Sequence, residues 1–192
     1  RKQRNKLQSE GTQIGMRVLR SFEDMGPAVE LYGSIESKGW KAEMGTAIHP
    51  DNAQGRFYRE LLEHASRRGE AVVYQYLFDG KVVAMNLCLL KNARLIVLKT
   101  TYDESITSFS PAFLLREDEL KEIFSAGEIR RLEYFGRLME WHTKWTDNKR
   151  TLYHLTVYRS PFIKSLAKAR NSENQAVENK ERGPQSSQKN IE

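Results

Sequence analysis

Hydrophobic and polar positions change their period several times along the chain, and each change marks an element. The strongly basic opening RKQRNK, Arg1 to Lys6, reads as a solvated arm or the end of an upstream element occupying residues 1–11. TQIGMRVL, Thr12 to Leu19, alternates enough for a short strand. MGPAVELYGSIESKGW then predicts a helix starting near Pro27, with Ala28, Leu31 and Ile35 on one face. A loop containing MGTAIHPD leads into a second helix from Asn52 to Arg68. Its stripe is Phe57, Leu61 and Ala65, and Gly69 is placed to end it.

The segment AVVYQYLF, the turn DG, KVVAMNLCLL, the turn KN and ARLIVLKTTY predict an antiparallel meander of three strands joined by compact turns. After a loop from Asp103 to Ser110, Pro111 suits the first turn of a helix running towards Ala126, which Gly127 ends. IRRLEYF reads as a short strand, RLMEWHTKW as a short helix and TLYHLTVY as a final strand. From about Ser165 the periodicity disappears, and NSENQAVENKERGPQSSQKNIE carries few apolar side chains besides Val177 and Ile191. That composition does not offset the entropy of ordering, so residues 161–192 are expected to form a disordered tail. The element order predicts an α/β (α+β) domain over residues 12–160, a mixed central sheet with helices on both faces.

Charge changes the picture of the ends. The chain has 192 residues and a formal net charge of +6. Residues 1–20 carry six basic side chains and one acidic, residues 21–161 carry 19 and 20, and residues 162–192 carry six and four. The core domain is near neutral and the excess sits in the flanks, which makes a nucleic-acid partner an unfavoured reading. The single cysteine, Cys88, lies in the apolar run NLCLL, which excludes an internal disulfide framework and favours a core role. No long apolar run predicts a membrane span.

Common chemical signatures are absent: no GxGxxG after an opening strand, no GxxxxGK[ST], no HExxH and no GxSxG. His49, His64, His142 and His154 are scattered without metal-ligand spacing, so no metal is expected, and His64 reads as a structural histidine beside an apolar stripe.

The order of elements resembles the GNAT acyltransferase fold. VVAMNLCLL, LKTTYDESITSFSPAFLL and RRLEYFGRLMEWHTKW resemble, more narrowly, the acetyltransferase domain of CelD-like proteins, a branch related to the FemAB aminoacyltransferases. The matching positions are Leu98, Lys99, Tyr102, Asp103 and Glu104, then Ser110, Pro111, Leu114 and Leu115, then Glu133 and Tyr134, and finally Lys144 and Trp145. GWKAEMGTAI and FYRELLEHASRRG are also similar, and the likeness covers about residues 1–160. Two positions depart from the pattern: Ala112 stands where glycine is usual, and Glu133-Tyr134 replaces Asp-Phe. The family's usual chain has a further acyltransferase-like half upstream, so the resemblance implies such a half, or a homo-oligomer, as partner.

The resemblance implies acetyl-CoA or another acyl-CoA as co-substrate, with its pyrophosphate at Ser110, Pro111 and Ala112, aided by the amides and dipole of a helix start. Those residues read equally as a cap and first turn. Lys99 joins the cofactor set. Tyr102 is placed to protonate a leaving thiolate or anchor a ligand, and Asp103 to orient an amine or take its proton, against the alternatives of sheet-end packing and a turn cap. Glu133 is the chosen general base, expected beside Tyr102 and Asp103, its alternative being a rim charge paired with Arg130 or Arg131. Lys144, Tyr134 and Trp141 are the expected acceptor-binding residues, with Tyr134, Trp141 and Trp145 equally readable as core; Trp40 and Lys41 admit the same two readings.

The expected reaction is cytoplasmic transfer of an acyl group from a coenzyme A thioester to an amine on a small molecule or envelope precursor, by direct attack. The alternatives are an aminoacyltransferase using aminoacyl-tRNA and a non-catalytic half of a larger enzyme.

Overall fold

The run AVVYQYLF has its first six residues buried because its strand lies inside a sheet covered on both faces. The computed structural model describes residues 2–38, 48–49, 52–153, 155–161, 163 and 165. The readings placed on Trp40, Lys41, His154 and the tail beyond residue 165 lie outside the described residues. The chain divides into two units, Arg1–Leu138 and Met139–Glu192.

The first unit runs α1 (Lys2–Ser9), β1 (Ile14–Leu19), α2 (Phe22–Glu36), α3 (Ala53–Ser66), β2 (Ala71–Phe78), β3 (Lys81–Lys91), β4 (Arg94–Tyr102), a 3-10 segment (Glu104–Phe109), α4 (Pro111–Ala126) and β5 (Arg131–Tyr134). The strands lie in chain order, β1 to β4 antiparallel and β5 parallel to β4. Alternate residues of the sheet feed two cores. On one face Val72, Tyr74 and Cys88 pack with Leu7 of α1 and with Leu114, Leu115 and Ile123 of α4. On the other, Val73, Met85 and Leu87 pack with Met25, Val29 and Tyr32 of α2 and with Leu62 of α3.

The meander turns are as tight as the sequence requires. Asp79 and Gly80 have φ of 48° and 78°, and the second turn falls on Asn92 and Ala93, at 52° and 58°, one residue later than the expected Lys-Asn.

Several expectations are corrected. Residues 2–9 are not a solvated arm: they form α1, where Leu7 is buried and Arg4 bridges Glu117 at 3.0 Å and Asp118 at 2.7 Å on α4. Helix α2 starts at Phe22, with Ser21 as N-cap and Glu23 and Asp24 in its first turn, so Pro27 lies inside the helix rather than at its start. The core stripe of α3 is Gly55, Leu62 and Ala65, and Phe57, from the expected stripe, is exposed. His64 is exposed as well.

In the second unit, α5 (Glu140–Thr143) is a single turn. The described residues between 151 and 158 form no strand, and Tyr153, Leu155 and Val157 are exposed, which overturns the expected final strand. An alternating pattern specifies a strand only when a neighbouring edge or core receives it.

Candidate functional site: an open strand edge between two charged ends

Strand β4 changes character halfway along. Leu87 of β3 pairs with Lys99 and Cys88 with Val97, so Leu98 is an extra residue, a bulge that bends the strand. The parallel ladder to β5 ends at the same place, with Val97 opposite Tyr134 and the Phe135 N–H donating to the Val97 carbonyl at 2.9 Å. From Leu98 to Tyr102, β4 has no strand partner on that side among the described residues. Its outward amides and carbonyls can hydrogen-bond an extended ligand.

The start of α4 lies just beyond that edge in sequence. Ser110 caps it with φ of 52°, a left-handed conformation unusual for serine, and its hydroxyl makes no cap bond. Its carbonyl accepts from Phe113 N–H at 3.0 Å and Leu114 N–H at 3.1 Å. Pro111 is buried and has no N–H, so it can fix the turn but cannot donate to a phosphate. The groups available to an anion here are the Ser110 hydroxyl and the half-buried Ala112 amide. Lys6 of α1 adds charge: its ammonium lies 4.4 Å from the ring centre of Phe109, the residue before the cap. The phosphate end therefore fits, with fewer backbone donors than a glycine-rich turn would bring.

At the other side of the same strand end, Leu31 and Ile35 of α2, Lys38 just after it, Lys81 and Val82 of β3, and Asp103 line a cleft of about 150 Å³. A larger depression of about 440 Å³ is lined by side chains of α3 and its C-cap Arg67, an exposed helix face without convergent chemistry. Asp103 accepts from the Ser105 hydroxyl at 2.6 Å, the Ser105 N–H at 3.1 Å and Lys81 at 3.1 Å. The Ser105 hydroxyl chiefly, and Lys81 with it, hold its carboxyl below the usual aspartate value. Asp103 is thus an anion suited to hold an ammonium and unsuited to take a proton from one.

The expected set is only partly brought together. Tyr102 packs half-buried against the α4 core and precedes Asp103. Lys99 points to the opposite face from α4, with its ammonium 5.5 Å from the Tyr58 ring centre on α3, so it does not join Ser110–Ala112. Glu133 pairs in register with Ile96, six residues or about 20 Å along β4 from Tyr102 at roughly 3.3 Å per residue. It is held by Arg94 and Arg131, each at 3.3 Å, so the expected pairing with Arg131 is present, on a side chain that is largely buried and is not a neighbour of Tyr102 and Asp103. Tyr134 is packed inward under the Arg116 guanidinium, 5.1 Å from its ring centre, and burial pushes its hydroxyl up to about 12. It is not presented to an acceptor. In the second unit Trp141 stacks on His142 at 3.5 Å, and Lys144 caps α5 with an exposed side chain.

Sequence reasoning missed a polar cluster beneath the open edge. Glu119 of α4 is fully buried and accepts from the Asn86 side-chain amide at 2.7 Å, while the Thr100 hydroxyl donates to the Asn86 carbonyl oxygen at 2.8 Å. Desolvation raises the Glu119 carboxyl to about 7, against the Arg116 charge and the Asn86 bond. The periodic placement of acidic residues in REDELKE shows only that one acid falls on the inner face, and polar identity there gave no separate signal. Cys88 is buried in the same core, and burial raises its thiol well above the usual value.

Comparison with known proteins follows the same lines. A family model described as an acetyltransferase (GNAT) domain matches residues 1–141. Among solved structures, an aminoglycoside acetyltransferase from an uncultured soil metagenomic sample is 15% identical, with a TM-score of 0.52 over 77% of this chain and 99% of that one. A "predicted acetyltransferase" from Clostridium acetobutylicum, solved with acetyl-CoA, is 9% identical, with a TM-score of 0.52 over 75% and 96%. An aminoglycoside N-acetyltransferase in complex with CoA is 8% identical, with a TM-score of 0.50 over 76% and 95%. At these identities the likeness is one of fold. No curated protein sequence matches significantly.

Proposed function

Since the chain belongs to the acetyltransferase (GNAT) domain family, we propose that it transfers an acetyl or related acyl group from a coenzyme A thioester to an amine. The observation that carries the reading is the open edge of β4, which begins at the Leu98 bulge and ends between an anion-accepting helix start and an ammonium-accepting cleft. The amide-rich arm of the donor lies along Leu98–Tyr102, and its phosphates meet Ser110, Ala112 and Lys6. A cationic acceptor enters beside Asp103, displacing the 73% exposed Lys81. The small apolar walls, Leu31, Ile35 and Val82, suit a short alkyl or ring carbon next to that charge.

The bound ammonium first releases one proton to solvent; the neutral amine nitrogen then forms the N–C bond, the C–S bond breaks, and the sulfur takes up a proton as the nitrogen loses its second one. The Tyr102 hydroxyl is the proton source assigned to the sulfur, and it is recharged from the nitrogen through solvent. A covalent cysteine intermediate is disfavoured by the burial and raised pKa of Cys88. The LK..YDE run and Ser110-Pro111 support membership of the CelD-like branch, and a CoA donor supports a cytoplasmic reaction.

Calorimetry with acetyl-CoA, desulfo-CoA and dephospho-CoA tests the reading. Micromolar binding of the first two is expected, and absence of binding by all three sinks it. Asp103→Asn then separates the two ends: the KM for the amine rises at least tenfold, the loss of a charged hydrogen bond, while acetyl-CoA affinity holds.

A further inference from the structure

Beneath the open edge, three side chains form a directional hydrogen-bond chain. Thr100 of β4 donates to Asn86 of β3, and Asn86 donates to Glu119 of α4. Asn86 and Glu119 are fully buried, and the second carboxylate oxygen of Glu119 has no hydrogen-bond partner among the described residues. Thr100 is half-buried, on the part of β4 that β5 leaves uncovered.

The direction of this chain follows from the charge of its inner end. An ionised carboxylate only accepts, so Asn86 must turn its amino group to Glu119 and its carbonyl oxygen to Thr100. Thr100 then spends its hydroxyl proton inward and offers only lone pairs outward. A protonated Glu119 can donate instead. When the Glu119 O–H donates to the Asn86 carbonyl oxygen, Asn86 reverses, its amino group donates to Thr100, and the Thr100 hydroxyl proton turns outward. We infer that Glu119, acting through Asn86, sets whether Thr100 accepts or donates at the open edge of β4, and is thereby a positioning residue for the ligand bound there. This rests on the reading that an acyl-CoA lies along that edge.

The groups facing Glu119 leave the two forms close in free energy. Arg116 favours the anion, Glu122 and desolvation oppose it, and Tyr74 of β2, Cys88 of β3 and Tyr134 of β5 are the remaining titratable neighbours. Burial holds Tyr74, Cys88 and Tyr134 in their neutral forms near pH 7, pushing the Tyr74 hydroxyl, like the others, upward. Glu119 is therefore the group in the cluster that changes charge across neutral pH. In the anionic form Thr100 accepts an N–H from the donor's amide arm, so binding favours ionised Glu119.

The test is a pH titration of the full chain by NMR, with side-chain-labelled glutamate, asparagine and threonine, from pH 5.5 to 8.5, with and without acetyl-CoA. The Asn86 amide and Thr100 methyl signals should move with the midpoint of the Glu119 carboxyl, acetyl-CoA should lower that midpoint, and Glu119→Gln should abolish the movement. In kinetics, the wild-type KM for acetyl-CoA rises roughly fivefold below the midpoint, as for one ordinary hydrogen bond. Glu119→Gln flattens that profile, Thr100→Val raises KM by a similar factor at high pH, and Thr100→Ser restores it. Asn86 and Thr100 signals that ignore the Glu119 titration overturn the inference, even if acetyl-CoA binds. Coupled titration in a protein that does not bind acetyl-CoA upholds the switch and rejects the acyl-CoA reading instead.

Discussion

Ser110 and Arg4 show how much single side chains decide here. Serine at φ of 52° costs local strain that glycine would not. Ser110→Gly should therefore leave stability unchanged or raise it by about 0.5–1 kcal/mol in thermal unfolding. If the hydroxyl meets a phosphate, the same change weakens acetyl-CoA binding severalfold, so stability and affinity move in opposite directions. Arg4 reaches Glu117, Asp118 and the Tyr76 hydroxyl at 3.0, 2.7 and 3.1 Å, and its side chain is 23% exposed. Arg4→Met should cost about 1–2 kcal/mol in denaturant unfolding, discounted for partial screening, and Arg4→Lys should restore only part of it, because an ammonium cannot reach three partners in a fixed fork. The carboxyl of Glu117 is raised by desolvation but lowered on balance by its bonds to Arg4 and Lys121. Its contribution is present above the unfolded carboxylate value and is lost as pH falls through the lower folded value, so the Arg4→Met cost shrinks in acid.

At the scale of elements, the meander was readable because alternation, length and turn residues agreed, and the α4 boundaries because Pro111 and Gly127 punctuate it. The start of α2 is ambiguous in the sequence because Pro27 competes with the Ser21 cap, and the final strand fails because a period-2 pattern carries no information about its partner. The break in β4 left no mark in ARLIVLKTTY: a bulge is a property of two registers, and one strand's sequence contains neither. The second turn shows an element still short of its optimum. Ala93 sits at φ of 58°, and its carbonyl accepts the Arg130 N–H at 2.7 Å, launching β5. Ala93→Gly should raise stability by about 0.5–1 kcal/mol, measured as a rise in Tm without change in the β4–β5 register. Gly33 is the opposite case. A Cβ there would lie 2.8 Å from the Ile48 carbonyl oxygen, and the Ile48 N–H donates to buried Glu36 at 2.7 Å. Gly33→Ala should cost about 1–3 kcal/mol by forcing that backbone off α2.

For the molecule as a whole, the acid buried on α4 is a liability for folding. The folded chain holds a proton on Glu119 up to about pH 7, whereas the unfolded chain releases it near the ordinary value of 4.5. Stability therefore falls as pH rises across that window, by on the order of 3 kcal/mol. Glu119→Gln should flatten this loss, so that the variant unfolds at a higher temperature than wild type at pH 8 and at a similar one at pH 5. The charge distribution also acquires a meaning that counting did not supply: the basic N-terminal run is folded as α1 against α4, with Arg4 neutralised and Lys6 carried to the start of that helix. The uncovered half of β4 has a further consequence. LKTTY is a short, β-prone template whose backbone would pair with the same segment of another copy as readily as with a ligand. In concentrated solution the unliganded protein should self-associate through this segment, and an occupied edge would act as a molecular stopper, keeping the chains apart.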